Sequence, residues 1–182
     1  MQGNLSLAIS KIAHIEWPEQ WPDLFDRLLA CLKGHPTPST ATQAMPEVEG
    51  ALGVLGEFIR EDLSDAHTPL IAPLLLPELT RILTSPGYRE ETKTCAISIF
   101  RDFCDVIALM AEDQPHAVTL VEPYLPTWCQ AFAAIFHQYP DPLSVLPMKT
   151  EIVTVMILTR HTMDSLFCHS LTIDELSQNY RH

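Results

Sequence analysis

Apolar residues recur along this chain at three- and four-residue steps, and nowhere in a convincing strict alternation. Leu5, Ile9, Ile12, Ala13 and Ile15 trace one face of a helix over residues 4–16. Pro18 ends it, because the residue before a proline is pushed out of the α region. Pro22 stands at a first helical position, with Asp23 and Asp26 in a first turn that faces the positive end of the helix dipole. Leu24, Phe25, Leu28, Leu29 and Leu32 mark the second helix, and Gly34 is placed to close it. Residues 35–45, with their Pro, Ser and Thr, read as a flexible loop. A second pair follows: Pro46 opens a helix through Val48, Leu52, Leu55, Phe58 and Ile59, and its partner runs through Leu74, Leu75, Leu79, Ile82 and Leu83. A third pair carries Ile97, Phe100, Cys104, Ile107 and Ala108, then Leu125, Trp128, Phe132, Ile135 and Phe136 after Pro123 and Pro126. A further helix runs from Met148 through Ile152, Val155 and Thr159 to Met163, and residues 170–182 either complete a fourth pair or fray.

The first helices of these pairs begin near residues 4, 47, 90 and 148, a step of about 43 residues stretched once by an insertion at 139–147. Two helices per step of this length is the signature of HEAT and armadillo repeats. Each hairpin leaves an apolar face that only its neighbour can bury, so such units stack into a superhelix. The fold expected is therefore all-α: a HEAT-repeat (armadillo-like) α-solenoid of three to four helix pairs, at about 4–34, 46–84, 89–138 and 147–182. A plain helical bundle is the competing architecture.

Composition sharpens this picture. Only six glycines against fifteen prolines leave few tight turns with positive φ, which disfavours a β-sandwich or barrel. Eleven basic residues against 23 acids give a net charge of −12, spread along both halves. That excludes a phosphate-binding footprint for nucleic acid and makes basic proteins the natural electrostatic partners. Cys31, Cys95, Cys104, Cys129 and Cys168 each lie in an apolar run, form no C-x-x-C and are odd in number, so they read as reduced core thiols of an intracellular protein. Met1-Gln2-Gly3-Asn4 shows no basic signal-peptide start, and no apolar run approaches membrane-spanning length.

The most informative stretch is Trp17-Pro18-Glu19-Gln20-Trp21-Pro22. Two prolines four apart stop one helix and start the next, and the two tryptophans are placed to seal the apolar seam beneath that corner. The stretch resembles a corner of the importin-β (karyopherin-β) family. Glu49-Gly50-Ala51-Leu52-Gly53-Val54-Leu55-Gly56-Glu57-Phe58-Ile59-Arg60-Glu61 and Pro69-Leu70-Ile71-Ala72-Pro73-Leu74-Leu75-Leu76-Pro77-Glu78-Leu79 are similar to the importin nine branch of that family, across residues 8–83 and collinearly to about 165. The resemblance implies a fragment of the N-terminal HEAT repeats of a nuclear import receptor. It further implies binding of Ran-GTP and of basic cargo such as histones, contacts with nucleoporins, no cofactor, and shuttling between cytoplasm and nucleus.

Chemistry finds little foothold in the sequence. Gly50, Gly53 and Gly56 sit inside a helix rather than between strand and helix, so they fit close helix packing and not a phosphate loop. His161, Cys168 and His169 lack metal-ligand spacing, and Asp62, Asp65 and His67 read as a solvated turn. No enzyme is expected. The polar face of the second helices is the better candidate: Asp23, Asp26 and Arg27 in the first pair, Glu78, Thr80 and Arg81 in the second, Thr127, Gln130 and His137 in the third. One helix of each pair in a HEAT solenoid lines the concave surface. Of these, Asp23, Asp26, Arg27, Glu78 and Arg81 are the partner-binding candidates. A Ran-independent HEAT scaffold or adaptor is the alternative reading, with a small helical enzyme the weaker third.

Overall fold

The computed structural model describes residues 2–17, 19–33, 41–63 and 65–160; at 2–6, 14, 41–45 and 62 it describes the backbone alone. Among the described residues the chain is wholly helical: α1 Gln2–Glu16, α2 Leu24–Leu32, α3 Ala41–Asp62, α4 Thr68–Thr84, α5 Glu90–Asp113, α6 Leu125–Gln138 and α7 Leu146–Leu158, with a 3-10 helix Pro115–Leu120 between α5 and α6. Helix α1 packs on α3, α3 on α5, and α5 on α7, while α2 lies beside α4 and α4 beside α6. Contacts of α2 with α3 and of α4 with α5 join the two layers. This is the layered stack of a HEAT-repeat α-solenoid, with the core running as one continuous seam between the layers.

Differences from the sequence reading have local causes. Helix α3 begins at Ala41 and not at Pro46, so the connection after α2 is shorter than 35–45 and Pro46 lies inside the helix. Pro46 lacks the N–H that would bond the Thr42 carbonyl and its ring crowds that carbonyl, a cost that the packing of the long helix α3 on α1, α2 and α5 offsets. The 3-10 helix has no counterpart in the apolar periodicity, because a run of six residues is too short to show one. Ile12, Ile15 and Leu74, placed on buried stripes by their spacing, are 47%, 77% and 52% exposed, and Ala108 is exposed too. Among the described residues α1 has a first-layer neighbour on one side, α3, which leaves the far edge of its stripe uncovered. Met163, Cys168 and residues 170–182 lie outside the described residues.

Two aromatic groups fasten the layers. The Trp17 ring lies 4.7 Å from Phe25, 5.8 Å from Phe58 and 4.7 Å from His67, and Phe25 meets Phe58 edge-on at 5.1 Å. The end of α1, the start of α2, the end of α3 and the turn before α4 are thus held by one group of rings. Trp21 is half-buried against the same core and Pro22 is exposed, so the two tryptophans are unequal partners; Pro18 lies outside the described residues. Further along, Trp128 is fully buried, stacked 3.8 Å from Phe100, and its indole N–H donates to Thr80 Oγ1 at 2.7 Å. The Thr80 hydroxyl in turn donates to the Leu76 carbonyl at 2.8 Å, so the buried polar handle of the tryptophan is satisfied through α4.

Polar ties run along the first layer. Lys11 pairs with Glu61, Arg60 lies 3.6 Å from Asp102, and Arg101 bonds both Asp102 at 2.5 Å and Glu151 at 2.5 Å, linking α1, α3, α5 and α7 in turn. Near the chain's insertion, Lys149 of α7 is 2% exposed, and its ammonium donates to the carbonyls of Tyr139 at 2.6 Å and of Asp141. A cation there favours the negative C-terminal end of α6. The segment it anchors ends at Val145, whose φ of 47° puts a β-branched residue in the left-handed region.

Trp17→Ala should lower stability by about 3 kcal/mol, near the low end for losing an aromatic ring from a core, and Trp21→Ala by about half as much. Urea unfolding followed by circular dichroism measures both, and a Trp17→Ala variant of unchanged stability would refute the corner's structural role. Leu7, Ile12 and Ile15 on α1, and Leu146, Val153 and Ile157 on α7, are exposed at opposite ends of the stack. Concentration-dependent self-association is expected from such faces. Sedimentation velocity at rising protein concentration should show an increasing sedimentation coefficient; a constant monomer value would contradict it.

Candidate partner-binding surface

Helices α2, α4 and α6 form the layer on which the polar candidates lie. Their direction is fixed by contacts at both ends of α2: Phe25 near its start and His67 just before α4 both meet the Trp17 ring, and its last carbonyl, at Leu32, accepts from Arg81 near the end of α4. Helices α2 and α4 therefore run parallel, start beside start and end beside end.

The five partner-binding candidates divide into two groups. Arg27 and Asp23 form an exposed pair one helical turn apart, Nε to Oδ2 2.6 Å, and Asp26 is exposed beside them. These three face solvent and are available to a partner. Arg81 and Glu78 are committed internally, with side chains only 24% and 16% exposed. The Arg81 guanidinium donates to Glu78 Oε2 at 2.9 Å, to the Tyr88 hydroxyl at 2.9 Å and to the Leu32 carbonyl. One planar group thereby joins α2, α4 and the turn into α5, using the several donors that only arginine presents in a fixed fork. Thr80 is likewise occupied by Trp128. On α6, Thr127, Gln130 and His137 are exposed.

What the sequence reading missed on this layer is apolar. Pro69, Leu70, Pro73, Leu74 and Pro77 all face solvent along one side of α4, with Leu70 62% exposed. Their spacing of three and four residues carried the signal, but the same spacing describes the buried face of α4 as well, and hydrophobicity alone cannot tell two apolar faces of one helix apart.

Three of the described cysteines are buried or largely buried thiols. Burial pushes the Cys95 thiol up to about 11 and the Cys129 thiol up to about 12, and raises the fully buried Cys104 further still, so all three are protonated at neutral pH and are poor nucleophiles. A cleft of about 620 Å³ lies between the end of α4, the start of α5, α6 and the start of α7, lined among others by Tyr88, Lys93, Gln130, Tyr139 and Met148. Across its mouth the Tyr139 hydroxyl donates to Glu90, and this bond raises the phenol above its ordinary value. Among the described residues no three His, Cys, Asp or Glu gather to hold a metal, and no helix is long and apolar enough to cross a membrane. His161, Cys168 and His169 lie outside those residues. Gly56 sits where an added Cβ would meet Ile99 of α5 at 3.4 Å, so the close-approach reading fits it, while Gly50 faces open space.

Comparison with known proteins adds a family signal. A scan against protein-family models finds no match. The chain is similar to Importin-9 of Drosophila melanogaster, 24% identical over 156 residues that cover 85% of this chain and 14% of that protein. It is also similar to Importin subunit beta-5 of Schizosaccharomyces pombe, 26% identical over 177 residues that cover 92% of this chain and 17% of that protein. The chain thus spans less than a fifth of the length of these relatives. The likeness supports a relationship to the importin-β family and does not single out a member.

The division of the candidates is testable by stability alone. Arg81→Ala leaves the Leu32 carbonyl, Glu78 and Tyr88 without their donor and should cost about 2–4 kcal/mol. Asp26→Ala, on open surface, should stay within about 0.5 kcal/mol of the parent. Chemical denaturation curves compare them, and equal midpoints would show that Arg81 is not a structural tie.

Proposed function

We propose that this chain is a segment of a nuclear transport receptor that engages Ran-GTP and basic cargo proteins, histones among them, on the layer formed by α2, α4 and α6. The observation that carries the reading is the importin likeness, which extends over 85% and 92% of the chain and falls on a two-layer helical stack. A net charge of −12 supports it, since a surface of this sign attracts and orients basic partners. The mechanism is competition: Ran-GTP and cargo favour different curvatures of a stack in which each repeat touches only its neighbours, so one displaces the other. Shuttling between cytoplasm and nucleus, with contacts to nucleoporins on the way, belongs to the same proposal.

Fluorescence anisotropy with a labelled core-histone dimer, and with Ran loaded with a non-hydrolysable GTP analogue or with GDP, tests the reading on the 182-residue chain. Histone binding that weakens as salt rises, and Ran binding that requires the triphosphate, are expected. Asp23→Lys combined with Asp26→Lys should weaken histone binding about five-fold, since single exposed pairs are worth only about 0–1 kcal/mol each. Glu90→Lys with Glu91→Lys, at the start of a first-layer helix, should matter less. Equal effects from both pairs would indicate general electrostatics without a site. Histone binding with no response to the nucleotide on Ran would favour the Ran-independent scaffold.

A further inference from the structure

The outer side of α4 is the least expected surface of the chain. Pro69, Leu70, Pro73, Leu74 and Pro77 form a contiguous apolar stripe over about two helical turns, roughly 12 Å long. Helices that bound a layer usually turn charged or polar residues outward, and a stripe of this kind marks an interaction site. The core does not require it, because α4 already buries Ile71, Ala72, Leu75, Leu76, Leu79, Ile82 and Leu83 on its other face.

The prolines add a second property. Pro73 and Pro77 lie inside the helix and have no N–H. The carbonyls of Pro69 and Pro73 therefore lose the donors that four-residue helical bonding would bring them. Each interior proline disfavours the helix by about 3 kcal/mol relative to alanine. A stretch built this way keeps an apolar surface at a cost to its own helix.

Acids outnumber bases at the stripe's start, where the exposed Arg27 is paired with Asp23. Asp65 is exposed in the turn ahead of α4. Asp26 is exposed and Asp23 half-exposed at the start of α2, which lies parallel to α4, start beside start. We propose that the α4 stripe is a docking site for an amphipathic helix whose apolar side chains seat on Leu70 and Leu74 and whose lysines or arginines meet Asp26 and Asp65. The i, i+4 ridges of the stripe suit a partner helix, which meets another helix ridge into groove. This rests on the proposed function and deepens it by giving its basic partner a shape and a seat.

The probe is a labelled helical peptide of about five turns with leucines on one face and lysines on the other, against a control of the same composition with the leucines dispersed around the helix. Fluorescence anisotropy on the full chain should show the amphipathic peptide binding at least about ten-fold tighter than the control. Leu70→Gln with Leu74→Gln should remove that preference, and Asp26→Lys with Asp65→Lys should weaken binding and flatten its salt dependence. All four positions are exposed, so circular dichroism should show unchanged unfolding midpoints. Equal binding of both peptides, or an unaffected leucine variant, overturns the docking site. Loss of self-association in the leucine variant without loss of peptide preference also overturns it, and assigns the stripe to a second copy of the chain. The core-histone dimer separates this from the broader reading. Histone binding that survives the leucine variant removes the stripe and leaves the basic-cargo reading standing. A peptide preference that depends on the leucines, in a chain that does not bind histones, does the reverse.

Discussion

Burial in this chain falls mainly between elements that are not adjacent in sequence, and the architecture depends on that constraint. Helix α3 closes on α1 and α5, and α5 closes on α3, α4, α7 and the 3-10 helix. The central helix accordingly carries a wide buried sector, from Thr92 and Ala96 through Phe100, Phe103 and Ile107 to Met110. Among the described residues α1 and α7 pack on a first-layer neighbour on one side and keep large apolar residues in solvent.

Joining such units demands polar ties that reach from one repeat to the next, and here they use arginine. Arg81 collects a carbonyl from the preceding repeat, a carboxylate of its own helix and a phenol from the turn that follows. Arg101 holds Asp102 and reaches Glu151 on the next first-layer helix. These mostly buried, forked donors fix the register between repeats. The exposed pairs, Arg27 with Asp23 or Arg60 with Glu57, hold little beyond their own helix.

The helical periodicity was legible because apolar spacing and proline punctuation are local properties of the chain. Existence and order of the helices follow from them. Boundaries were less legible: Pro46 looked like a helix start because an interior proline is disfavoured, yet α3 includes it. The candidate surface was legible only in part. Glu78 and Arg81 occupy polar positions between leucines, so spacing puts them on the outer face, and only the approach of the Leu32 carbonyl and Tyr88 shows that they face a neighbour. Lys149 is a parallel case, a lone lysine in an apolar helix whose buried partners are carbonyls that carry no sequence signal.

Helix α4 is where these constraints meet. On one face it holds the seam, and through Thr80 and Arg81 it serves α6 and α2 at once, so its inward side has little freedom to vary. Its outward side has no such duties, yet it carries two interior prolines that weaken the helix and leucines that water disfavours. A surface selected only for stability would hold neither. Residues that lower the stability of the element bearing them, on a face free of structural obligations, point to a requirement set outside the fold. With acids gathered at one end of the stripe, the requirement that matches both features is a partner that is apolar on one side and positively charged on the other.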